Sequence, residues 1–121
     1  MNIEEYRVYC LKKPGVTESF PFNDKTLVFK VMNKMFALTG VDTFVSLNLK
    51  CEPELAIELR EQFHSIKPGY HMNKKHWNTI MVEGDITDKK LFELIDLSYN
   101  LVVKGLTKKM KEELKSSIIS N

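Results

Sequence analysis

The feature that most constrains the fold is a succession of apolar–polar alternations separated by short turns. Leu27, Phe29 and Val31 alternate with Thr26, Val28 and Lys30. Phe36 and Leu38 follow a turn expected at Asn33-Lys34, and Val45, Leu47 and Leu49 alternate with Ser46, Asn48 and Lys50 after a turn at 40–42. A period of two sends successive side chains to opposite faces of a strand. Strands joined by so few residues pair antiparallel, because a parallel connection needs a crossover of about a dozen residues. The product is a sheet with one face covered by packing and the other open or only partly covered.

Helical segments interrupt this block. Asn2 is placed to cap a first helix whose apolar stripe is Ile3, Tyr6, Cys10 and Leu11, with Glu4 and Glu5 at its positive end. Pro14-Gly15 ends it, and 16–24 reads as loop. Pro53 opens a second helix with Leu55, Leu59 and Phe63 on one face. After Pro68-Gly69, strands are expected at 70–73 and 77–83, joined by 73–76. Thr87 or Asp88 caps a long helix to about Lys104, Thr107 restarts a basic helix over 108–117, and the tail is expected to fray. The order α-β3-α-β2-α predicts an α+β two-layer sandwich. Its antiparallel sheet has about five strands with helices on one face, in a single domain over 1–121 that includes the basic C-terminal segment from about 106.

Several function classes are disfavoured. No run of 18 apolar residues marks a membrane span, and the N-terminal residues lack a signal peptide's apolar stretch, so cytoplasm is the expectation. Cys10 and Cys51 are too few for a disulfide framework and read as reduced packing thiols. His64, His71 and His76 form no zinc motif, and the five glycines form no phosphate loop, so no metal or cofactor is expected. The acids of the middle helix and of 83–96 read as solvated faces and caps, with no catalytic pair among them.

Charge is nearly balanced overall at +2, but residues 67–76 carry Lys67, Lys74 and Lys75 with no acid. This stretch belongs to a basic, aromatic segment, Lys67-Pro-Gly-Tyr-His-Met-Asn-Lys-Lys-His-Trp77. Lys74 and Lys75 at a hairpin tip, with Asn73, His71, His76 and Trp77 beside them and Lys34 at a second tip, suit two wings contacting phosphate. The ordinary alternative is a solvated turn with Trp77 in the core. Parity offers a further possibility. If Ile80 and Val82 point inward with Asn78, then Trp77, Thr79 and Met81 share the other face with Lys30, Asn48 and Lys50. The lysines of 104–115 read first as a helix C-terminus favoured by its dipole and second as a basic arm.

Several blocks together resemble the MmcQ/YjbR family of small bacterial proteins. They are Pro14-Gly15-Val16, Pro21-Phe22, Lys30-Val31, Lys34-Met35-Phe36-Ala37-Leu38, Leu49-Lys50-Cys51, the run from Pro68 to Thr79, and Ser98-Tyr99. The resemblance spans nearly the whole chain. It implies a CyaY-like or secretion-chaperone-like α/β sandwich, a DNA-binding role with a double-wing motif, and no catalytic residues to carry over.

Three functions follow in order of expectation. The first is a DNA-binding module. The second is a protein-interaction domain docking through the open sheet face or the long helix. The third is a small-ligand binder or enzyme built on Tyr70, His71, His76 and Trp77, which requires a concave pocket.

Overall fold

The computed structural model describes residues 1–120, with side chains through Ile118. Its elements run α1 (Ile3–Leu11), β1 (Val16–Ser19), β2 (Thr26–Val31), β3 (Lys34–Gly40), β4 (Ser46–Lys50), α2 (Pro53–Gln62), β5 (Ile66–Pro68), β6 (Trp77–Met81), α3 (Asp88–Lys104) and α4 (Lys108–Ser120). One antiparallel sheet has the order β1-β2-β3-β4-β6-β5. The expected α+β architecture is present, with six strands rather than about five.

The caps act as read. Asn2 Oδ1 accepts from Glu5 N at 2.9 Å, Thr87 Oγ1 from Lys90 N at 3.1 Å and Thr107 Oγ1 from Met110 N at 3.1 Å. Pro53 lies in the first turn of α2, and α4 runs as helix to Ser120. The last residue of the expected frayed tail, Asn121, lies outside the described residues. Among the described residues, no helix is long and apolar enough to cross a membrane.

Three strand expectations are corrected. Residues 16–19, read as loop, form edge strand β1. Its four residues alternate only between half-buried and exposed, so its pairing with β2 defines it more than its own pattern does. The turn between β2 and β3 is Met32-Asn33, both at positive φ (48° and 66°), which places Lys34 as the first residue of β3. The strand preceding Trp77 is β5, not 70–73, and β6 ends at Met81.

All four helices lie on one face. Leu27, Phe29, Val31, Ala37, Leu47, Leu49, Ile66 and Ile80 enter a core with Tyr6 and Cys10 of α1, Ala56 and Leu59 of α2, Leu91 to Val102 of α3, and Leu114 of α4. Leu55 and Phe63 are only partly buried against it. Phe36 is an extra residue in β3: Phe29 pairs with Ala37, and Lys30 with Met35. Ser98 Oγ of α3 meets this bulge, donating to Phe36 O at 2.5 Å and accepting from Lys50 N at 2.9 Å. Nearby, Tyr99 Oη donates to Pro14 O at 2.6 Å, and the Tyr99 ring meets Phe36 edge-on. Blocks scattered along the sequence thus converge at one junction of α3, the sheet and the turn after α1.

Candidate functional site

The face away from the helices follows from strand parity. Val28 pairs with Leu38, Leu38 with Asn48, Asn48 with Thr79 and Thr79 with Lys67, so one row crosses this face from β2 to β5. A neighbouring row holds Thr17, Lys30 and Met35, then Lys50 and Trp77. The parity reading of Trp77, Thr79 and Met81 therefore holds, as does their grouping with Lys30, Asn48 and Lys50. The charged strand residues of this face are Lys30, Lys50 and Lys67. Glu18 is held on the helix side by Arg7 of α1, with bonds of 2.8 and 2.5 Å. Most other carboxylates lie on the four helices or next to them.

Trp77 is on the open face yet only 8% exposed. It forms a second, smaller cluster with Val28 and Leu38, edged by Met35 and Met72. Met72 reaches it because residues 69–76 fold back instead of projecting as a strand and tip. Gly69 permits the approach: a Cβ there would lie 2.8 Å from Trp77 Cβ and 3.0 Å from Met72 Cβ. Gly69 N donates to Trp77 O at 2.8 Å, and Tyr70 N donates to Thr79 Oγ1 at 2.9 Å. Asn73 Oδ1 accepts from Lys75 N at 2.9 Å and His76 N at 3.3 Å, closing the turn into β6.

Arg60 of α2 secures the loop from the other side. Its guanidinium donates to Asn78 Oδ1 at 2.6 Å, to Lys74 O, and to Trp77 O at 3.4 Å. No sequence signal marked Arg60, because its partners are backbone carbonyls and a buried amide brought together by folding.

The candidate residues separate into distinct environments. Lys34 and Lys75 are exposed at the same end of the sheet, near Lys30 and Lys50. β3 and β6 flank β4 there, about 10 Å apart by two strand spacings. Among the described residues, Lys30, Lys34, Lys50, Lys67 and Lys75 make no ion pair. Lys74 differs: its ammonium donates to Gly69 O at 2.9 Å and pins the loop. The Asn73 carbonyl and side-chain oxygen are engaged in the turn, while His76 is half-buried and its carbonyl accepts from Cys51 N at 2.8 Å. His71 is exposed at positive φ (57°), with its ring 4.0 Å from that of Tyr70. Tyr70, His71, His76 and Trp77 do not share one environment.

A cleft of about 480 Å³ opens over this face. Its walls include Phe22, from the loop after β1, and Tyr70 with His71; Leu38, Ser46 and Asn48 lie along the strands beneath. Phe22 is 61% exposed and Tyr70 69% exposed. Phe22 was visible in the sequence only as part of Pro21-Phe22, with no indication that it lines the same cleft as Tyr70.

The strongly shifted titrating groups lie elsewhere. Burial pushes the Cys10 thiol up to about 12 and raises Cys51, in keeping with packing thiols rather than reactive ones. The Asp85 carboxyl is lowered to about 2 by bonds from Ser65 Oγ and the backbone N–H groups of His64 and Ser65, which fix the turn into β5.

Comparison with known proteins gives this architecture a family. A family model described as YjbR matches residues 11–101. The protein YjbR of Escherichia coli (strain K12) is 35% identical over 115 residues, covering 94% of this chain and 98% of that protein. YbdF of Escherichia coli O157:H7 is 39% identical over 107 residues, 88% of each chain. The crystal structure of Deinococcus radiodurans protein DR2400 superposes with a TM-score of 0.88 at 43% identity, covering 94% of this chain and 88% of that one. A crystal structure from Pseudomonas syringae gives 0.70 at 31% identity, covering 84% and 98%. With sequence and fold in agreement over nearly its whole length, the chain belongs to the YjbR family.

Proposed function

We propose that this chain is a non-catalytic DNA-binding module that takes phosphates on the open face of its sheet and on the two hairpin ends beside it. The observation carrying this reading is the segregation of charge. Lys30, Lys50 and Lys67 are the charged strand residues of the open face, Lys75 stands exposed at one end of it, and Lys34, which pairs with Val31 on the helix side, is exposed at the same end of the sheet. Such a field attracts a polyanion and releases its counterions on contact. Lys74 supports the site by holding the loop and is not counted among the phosphate contacts.

Fluorescence anisotropy with labelled DNA at low and moderate salt tests the reading. Affinity should fall steeply with salt. Replacing Lys30, Lys50 and Lys67 together by Ala should reduce the log–log slope by about 0.9 per lost phosphate contact on duplex, or about 0.7 on a single strand. Absence of binding at low salt, or an unchanged slope in the triple variant, overturns it.

A further inference from the structure

The cleft on the open face has features that phosphate binding alone leaves unused. Phe22 and Tyr70 are large rings more than half exposed, standing in its walls. The Tyr70 backbone is tied to the sheet through Thr79 Oγ1, so its wall rests on β6. Thr79 Oγ1, having accepted from Tyr70 N, donates its own proton to Asn48 Oδ1. This chain fixes the Asn48 amide and leaves its Nδ2 as the outward donor, without a partner among the described residues. Ser46 and Thr26 bring hydroxyls to the same cleft. The volume, about 480 Å³, lies in the range of small-ligand sites.

We infer that the cleft receives an unpaired nucleobase, and that the chain is a single-strand binder whose bases enter between Phe22 and Tyr70 while its phosphates run to the lysines. The inference rests on the DNA-binding reading and specifies its ligand. Every base has a π-face for an aromatic wall, whatever its identity. Asn48 Nδ2 suits a base carbonyl or ring nitrogen. Lys30 lies four residues along β2 from Thr26, and Lys50 four along β4 from Ser46, about 13 Å at strand rise. The Val28–Leu38–Trp77 cluster lies on the face between them, and the span suits a few nucleotides of extended strand. Asp24 and Asp42 lie in loops at the cleft end, where Asp42 pairs with Lys25 at 3.6 Å, so among the described residues that end carries no unpaired lysine beside Asp24. That distribution places the neutral base at the cleft end and the phosphates at the lysine end. A duplex keeps its bases stacked inside, where these rings do not reach them.

The test compares three labelled oligonucleotides of equal length at one salt concentration: a single strand, its duplex, and a single strand with abasic sites. It uses the full chain and its Phe22→Ala and Tyr70→Ala variants, with circular dichroism melting to show that both fold. The single strand should bind tightest. Each variant should lose about 5- to 150-fold in single-strand affinity, the effect of one stacked base, with its salt slope unchanged. The abasic strand should bind the unsubstituted chain no better than the intact strand binds the variants. Equal binding of duplex, abasic and intact strands, unaffected by either substitution, overturns the inference and leaves the DNA-binding reading standing. No binding of any oligonucleotide at low salt overturns both.

Discussion

The two faces of the sheet use the same strands in opposite ways. On β2, Leu27, Phe29 and Val31 disappear beneath four helices, while Val28 and Lys30 point the other way. The helix side has one extensive apolar core with Tyr6, Phe29 and Phe36 fully buried. The open side has a small cluster in which a folded-back loop covers one indole, with a cleft on one side and lysines on the other. Burial on the first face is secured by element against element. On the second it rests on Gly69, Met72, the Asn73 turn and Arg60. The first arrangement makes a stable scaffold, and the second makes a surface whose shape depends on one loop.

That contrast breaks or sharpens with substitutions. Phe29→Ala should have the largest effect, about 3–5 kcal/mol of stability by chemical denaturation, because the cavity lies in a closely packed interior. Trp77→Ala should cost less, about 1.5–3 kcal/mol, because the indole is covered by a loop rather than a layer. Amide exchange should quicken selectively over 69–76 in that variant. Equal costs at the two sites, with no local loosening, would mean that the faces form one cooperative core.

The smallest effect concerns β5, the edge strand shared by both faces. Asp85 has a folded pKa of about 2, against roughly 3.9 for an unperturbed aspartate. A lowered folded pKa stabilises the protein above the unfolded value, and the contribution disappears as pH falls from about 4 towards 2. Asp85→Asn should therefore lower the urea midpoint near pH 6 and make it fall less between pH 4 and 2. A parallel pH profile in the variant would show that the 64–65 turn does not depend on the carboxylate.

Much of the helix-covered face was legible in the sequence. Asn2, Thr87 and Thr107 marked helix starts through backbone N–H groups three residues away, and Pro53 did so through its fixed φ in the first turn. Lys30 and Lys50 of the open face were legible by parity once Ile80 was turned inward; Lys67 was not, because its strand β5 was not expected. The 69–76 loop was not. A strand was expected at 70–73 and a joining turn at 73–76, but His71 at positive φ and the Asn73 turn closed the segment into a fold-back. Strand β1 was missed for a related reason: four mostly polar residues become a strand through β2, not through their own pattern.

The sequence by itself determined the antiparallel sheet, the faces taken on β2, β4 and β6 and where the helices begin, because these follow from a period of two and from contacts within one turn; the bulge at Phe36, which puts Phe36 in the core and Leu38 on the open face, was outside that pattern. Only the tertiary structure decided that Trp77 is covered by Met72, that the Lys74 ammonium binds Gly69 O, and that Phe22 and Tyr70 line one cleft. Those outcomes depend on partners distant in the chain, such as Arg60 with Lys74 and Asn48 with Thr79. Periodicity fixes which side a residue faces; what comes to lie over that side is set by long-range packing and hydrogen bonds that no local pattern records.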